Sequence, residues 1–232
     1  MRVASEKAVD EGKKLAGEAL EATAGDIKYK AGRFTVAGIE LSVGLFDLAR
    51  QQSGGRLTVS ASATAAAPSW PNGCHVAEVE IDPATGDVQV VAYASVNDIG
   101  RIVSPTIVQG QVEGGAVQGI GQALCEQVVY DADSAQLLSA SFMDYALPRV
   151  DGFRAFKTVF DQSVPCLSNS LGAKGVGELG TIGATPAVVN AVVDALAHTG
   201  LGRRAEQVQM PLTSEVVWRA LRGEFAAPLT LG

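Results

Sequence analysis

Apolar positions recur at helical spacing from the first residues onward. Val3, Ala8, Val9, Leu15, Ala16, Ala19 and Leu20 predict an amphipathic helix over residues 3–23. The pattern then shortens: residues 26–29, 33–36 and 39–41 read as strands parted by Gly32 and Gly38, and 42–51 as a short helix. Residues 57–61 form a strand candidate in a Ser/Ala/Gly stretch that ends in the turn-rich Pro68–Gly73. Residues 75–81 and 88–96 alternate around Asp82-Pro83-Ala84-Thr85-Gly86-Asp87, the pattern of a hairpin. A long helix is expected within 105–130, starting after the glycine cluster at 110–115, and a strand over 153–160. Residues 187–196 read as a helix with Thr185 as N-cap and Pro186 at its first position. A last helix over 212–222 takes Thr213 or Ser214 as cap and turns Trp218 toward the core. The mixture predicts an α+β fold, small mixed sheets covered by helices, with no fixed-period repeat. The whole of 1–232 is expected to form one domain, with 1–70 and 71–232 as candidate sub-lobes.

Composition narrows the function classes. Of 232 residues, 47% are hydrophobic and 19% charged, enough core to fold without disulfide or metal staples. Twenty-five acids against 18 bases give a net charge of −7 with no basic patch, which argues against nucleic acid and against a membrane surface. No segment reads as a continuous apolar span. Three scattered cysteines (Cys74, Cys125, Cys166) and two histidines make a zinc site improbable and fit a reducing, cytoplasmic compartment.

Chemistry concentrates in two glycine-rich segments, 110–115 (Gly-Gln-Val-Glu-Gly-Gly) and 172–180 (Gly-Ala-Lys-Gly-Val-Gly-Glu-Leu-Gly). Read as loops, they allow backbone N–H groups to approach an anion or a flat cofactor closely, because no Cβ intervenes. Tight turns packing helices on a sheet are the competing reading. Gly175-x-Gly177-x-x-Gly180 matches the dinucleotide fingerprint literally but is rejected: no buried strand precedes it, and the expected helix begins too late. Glu178 is the sharper signal, a carboxylate between Gly177 and Leu179 with Lys174 the nearest cation in sequence. In a closed site, desolvation would make it a stronger base. A solvated loop glutamate is the plain alternative. Asn190, Asp194 and His198 form a polar stripe on an apolar helix, so His198 reads as a surface residue.

Five stretches resemble one family. They are Cys74–Asp82, Asn97–Pro105, Gly110–Gly119, Phe142–Pro148 and Gly172–Gly183, in that order along the chain. They are similar to the second molybdopterin-binding domain of the large subunit in the xanthine dehydrogenase/aldehyde oxidase/aerobic carbon monoxide dehydrogenase group. The resemblance runs from about residue 3 to residue 222. By position it implies that Glu178 is the active-site glutamate acting as general base. Gln111 would be the glutamine that hydrogen-bonds the molybdenum centre. Gly110, Gly175, Val176 and Gly177 would line the cofactor. No residue of this chain is expected to ligate the metal directly.

The same resemblance implies a molybdopterin cofactor, with the cytosine dinucleotide form as one option, and an N-terminal molybdopterin domain or subunit that completes the site. A 2Fe-2S subunit and an FAD subunit are implied as further partners, since this chain has neither module. The activity implied is oxidative hydroxylation of a small molecule, an aldehyde or N-heterocycle, or oxidation of CO. Ile99 and Ser104 depart from the family pattern in a way that bears on the geometry of their loop, and Leu179, where small residues or proline are common, leaves the substrate type open. A non-catalytic structural domain, or a truncated fragment without cofactor, is the alternative; Gln111 and Glu178 weigh against a pure scaffold.

Overall fold

The computed structural model describes residues 1–64, 66–153 and 156–225, and its contacts divide the chain into two compact units, Met1–Ala67 and Pro68–Gly232.

In the first unit, helix α1 (Arg2–Ala19) packs on an antiparallel meander of β1 (Ile27–Lys30), β2 (Arg33–Val36) and β3 (Ser42–Gly44), followed by α2 (Leu45–Gln51). Ala31 and Gly32 turn β1 into β2, both with positive φ, which suits the right-handed twist of a two-residue hairpin. Ala16, Ile27, Phe34, Val36 and Leu48 form the core. A Cβ on Gly12 would lie 2.3 Å from Phe34 Cζ, so this glycine admits the ring against α1. Residues 39–41 are turn rather than strand, and the pairing edge shifts to 42–44. Residues 57–61 form no strand; with no partner strand to pair with, their β propensity is not expressed.

The second unit is built on β4 (Asn72–Ile81), β5 (Val88–Asp98) and β6 (Phe156–Asp161), in that order, the first pair antiparallel and the second parallel. Residues 154 and 155 of the expected strand lie outside the described residues. Helices α3 (Pro105–Leu124) and α4 (Leu179–Leu196) pack together on one face. Val90 and Tyr93 of β5 meet Ala116, Ile120 and Ala123 of α3 and Ala184 and Val188 of α4. The core continues through Val192 and Leu196 to Leu212, Val217 and Ala220, the last two on α5 (Ser214–Leu221). Thr213 caps α5 by accepting from Val216 N. Trp218 is half-buried rather than core: its Nε1–H donates to Ala84 O at 3.1 Å, and Arg222 stacks on its ring.

Two helix starts differ from expectation, and both differences reshape the site. Helix α3 begins at Pro105, so the cluster at 110–115 is helical rather than loop. Val108, Val112, Ala116, Ile120 and Ala123 bury one stripe of it, and that burial outweighs the glycines' poor helix propensity. Helix α4 begins at Leu179, with Pro186 in its interior and Thr185 no cap. Leu179, Gly180 and Ala184 are all buried, and their packing extends the helix upstream of the proline. By length and composition α4 with its continuation to Gln207 is apolar enough to cross a bilayer, which the sequence reading missed. Its face Ala184-Val188-Val192-Leu196 is fully buried in the protein, as in a core helix.

Candidate functional site

The crossing of α3 and α4 brings the two glycine segments together. A Cβ on Gly180 would lie 2.2 Å from Val112 O and 2.7 Å from Ala116 N; one on Gly119 would lie 2.8 Å from Thr181 O. Thr181 Oγ1 donates to Gly115 O at 2.9 Å, and Thr185 Oγ1 to Gly119 O at 3.1 Å. The glycines at this crossing are therefore packing residues, and the helix backbones meet with no side chain between them.

Other glycines have no such reason to be there. Built on Gly110, Gly114, Gly175 or Gly177, a Cβ would meet nothing within 4 Å, and none of the four has positive φ. Gly110 and Gly114 lie one turn apart on the exposed side of α3, where alanine would be better by about 0.5–1 kcal/mol each. Neither backbone conformation nor packing among the described residues accounts for them. They leave bare backbone facing outward.

Glu178 and Gln111 border the same crossing. Val112 and Leu179, their immediate neighbours, share one buried cluster with Ile99 and Val108. Both polar side chains are exposed, and among the described residues neither has a hydrogen bond or ion pair. Glu178 occupies the N-cap position of α4 without capping it. The carboxylate and the amide are thus presented outward from two helices locked together below them. The expected closed environment of Glu178 is not supplied by the described residues of this chain.

The loop before Glu178 is anchored to the end of β5. Lys174 does not pair with Glu178; its Nζ lies 2.5 Å from Asp98 Oδ2, with both side chains largely buried. The Lys174 ammonium, and then the Gly100 N–H, hold the Asp98 carboxyl below its ordinary pKa. Lys174 N donates to Ile99 O at 2.9 Å, and Arg101 N to Gly172 O at 2.8 Å. Gly100, at φ +60°, sits so close that a Cβ would lie 2.2 Å from Gly172 O. Val176 packs against the Ile99 cluster, whereas Gly175 and Gly177 are exposed.

A polar network beneath α4 was not read from the sequence. Asn97 Nδ2 donates to Ser95 Oγ at 2.9 Å, which turns Asn97 Oδ1 toward His75 Nε2, 3.1 Å away. His75 Nδ1 then accepts from the Tyr93 hydroxyl at 2.6 Å. Burial pushes the Tyr93 pKa well up, so the phenol stays a donor. A Cβ on Gly183 would lie 2.3 Å from His75 Nδ1, so α4 rests directly on the imidazole. The available signal was the polar alternation of Ser95 and Asn97 with the small apolar residues Ala94 and Val96 of β5. His198 is on the surface, as expected, with Nδ1 2.7 Å from Asp194 O.

Residues 1–153 match the family model described as the molybdopterin cofactor-binding domain. The chain belongs to this family. The nicotine 6-hydroxylase large subunit of Paenarthrobacter nicotinovorans is 44% identical over 156 residues, 67% of this chain and 18% of that one. The 6-hydroxypseudooxynicotine dehydrogenase complex subunit gamma of the same organism is 32% identical over 234 residues, 96% of this chain and 28% of its own length. Among solved structures, quinoline 2-oxidoreductase from Pseudomonas putida 86 superposes with a TM-score of 0.80 at 33% identity, covering 95% of this chain and 29% of that one. These bear out the expected α+β fold and the resemblance to the xanthine dehydrogenase group of molybdenum hydroxylases. This molybdopterin cofactor-binding domain spans less than a third of the length of those relatives.

Proposed function

We propose that this chain forms the glutamate-bearing wall of a molybdenum hydroxylase active site, with the facing wall supplied by an N-terminal molybdopterin domain or subunit. One observation carries the reading: Glu178 and Gln111, exposed and without a side-chain partner among the described residues, flank a helix crossing whose outward glycines, Gly110, Gly114, Gly175 and Gly177, meet none of the described residues at the Cβ position. Bare backbone permits close approach of a flat group such as molybdopterin, and the adjacent Gln111 side-chain amide is a donor that fits it. The cytosine dinucleotide form is one version of that group. Gly110, Gly175, Val176 and Gly177 line it, and Gln111 donates a hydrogen bond from its side-chain amide.

When bound, the cofactor supplies the electron-accepting chemistry. Glu178 accepts, at a carboxylate oxygen, the proton of the oxygen nucleophile that attacks the substrate carbon. Covering by the partner removes water from around the carboxylate and strengthens it as a base. Relatives named for nicotine and quinoline favour an N-heterocycle as substrate, and those named for carbon monoxide keep CO oxidation as the second reading. A 2Fe-2S subunit and an FAD subunit complete the assembly, in the cytoplasm.

The test is Glu178→Gln in the chain co-assembled with its partner subunits, measured as stopped-flow reduction of the enzyme by substrate. The substitution keeps size and an acceptor oxygen but cannot take the proton. The rate should fall by at least about 10² at unchanged molybdenum content. Rates within about threefold, far short of a general base's contribution, would reduce Glu178 to an ordinary loop residue.

A further inference from the structure

We infer that Lys174 and Asp98 form a positioning latch that holds the 175–178 loop, and so the Glu178 carboxylate, in register with the α3–α4 crossing. The inference rests on the reading of Glu178 as the base.

The span from Lys174 to Leu179 is fixed at both ends, and between them Val176 rests partly buried against the Ile99 cluster. At its far end, Leu179 is buried with Ile99, Val108 and Val112. At its near end, Lys174 is tied twice to the tip of β5, by its backbone N–H on Ile99 O and by its ammonium on Asp98 Oδ2. Between them, Gly175 and Gly177 contribute no side-chain restraint. A glycine-rich span left loose at one end samples many conformations, and each residue not held loses entropy when the productive one is required. The near anchor therefore decides how well Glu178 is placed.

Its chemistry is specific. Asp98 Oδ1 accepts from Gly100 N at 3.0 Å, so the carboxylate also shapes the turn on which Gly172 rests. Asp98 pairs in register with Asp161 of β6, and Lys174 is the cation that acts on both acids. Without the ammonium, two carboxylates face each other across neighbouring strands and the loop loses its only charged attachment to the sheet among the described residues. A buried pair deprived of one member is strongly unfavourable, so the loop should lift away rather than leave Asp98 dry and unpaired.

Hydrogen–deuterium exchange on the full chain tests the latch without any cofactor. Lys174→Met, which keeps an apolar stem without charge, should speed exchange of the Arg101, Cys166 and Lys174 amides by about tenfold or more, with α3 amides 108–124 unchanged. Lys174→Arg should restore protection. Unchanged exchange, or acceleration spread equally over α3, overturns the latch, because the pair then contributes nothing local or only global stability. In the assembled enzyme, Lys174→Met should lower kcat by about tenfold or more with KM and molybdenum content little changed. Glu178→Gln is measured beside it. If Glu178→Gln abolishes turnover and Lys174→Met loosens the loop without lowering kcat, the positioning claim is wrong while the base stands. If Glu178→Gln is silent, the base reading fails, and the exchange data alone still decide whether the latch exists.

Discussion

Alanine placed at two glycines near the same helix crossing should act with opposite signs. Gly180→Ala puts a Cβ 2.2 Å from Val112 O and 2.7 Å from Ala116 N, where 3.4 Å or more is ordinary contact. The atoms in the way are α3 backbone, so no side chain can swing aside, and the helices must separate by roughly 1 Å. Overpacking of this kind costs about 1–3 kcal/mol. Separation also stretches the Thr181–Gly115 and Thr185–Gly119 hydrogen bonds, worth about 1 kcal/mol each, against a gain of about 1 kcal/mol in helix propensity. The net should be a loss of about 2–4 kcal/mol, or roughly 4–16 °C in Tm for a unit of this size. Gly114→Ala meets nothing within 4 Å on the exposed side of α3 and should gain about 0.5–1 kcal/mol. Urea and thermal unfolding of the two variants, followed by far-UV circular dichroism, decide it. Shifts of the same sign, or a Gly180→Ala loss under about 0.5 kcal/mol, would refute the division into packing and outward-facing glycines.

Two further outcomes follow from the local electrostatics. Cys166 should be alkylated by iodoacetamide near neutral pH faster than Cys125, measured by mass spectrometry. The Ser168 hydroxyl at 3.1 Å lowers the Cys166 pKa, whereas burial, and then the Glu126 charge, raises that of Cys125. Equal rates, or a faster Cys125, would contradict that assignment. For Asp98, the folded pKa lies below the unfolded value of about 3.9, so the latch contributes fully above that pH and is lost as pH falls through the folded value. Wild type and Asp98→Asn should therefore keep a constant gap in stability above about pH 4 and converge as pH falls below it; a constant gap down to the lowest pH would argue against the pair.

How much was legible in advance depended on the range of the interaction. The β4–β5 hairpin was readable because its causes are local: alternation at period two, and a turn in which Asp82 accepts from Ala84 N and Thr85 Oγ1 and Gly86 takes positive φ. The amphipathic stripe of α1 and the Thr213 cap of α5 were visible for the same reason. The sequence also pointed to Glu178 and Gln111 and to the family, because motif order along the chain survives without knowing the fold. What glycine meant could not be decided that way. At 110–115 it reads as loop by propensity, yet the buried stripe from Val108 to Ala123 makes it helix, and only the approach of α4 separates Gly115 and Gly119, which pack, from Gly110 and Gly114, which face outward. The start of α4 upstream of Pro186, and the choice of Asp98 rather than Glu178 as partner of Lys174, were fixed the same way. Each depends on residues some 65 to 76 positions away in the chain, where tertiary burial outweighs the fraction of a kcal/mol that local propensity contributes.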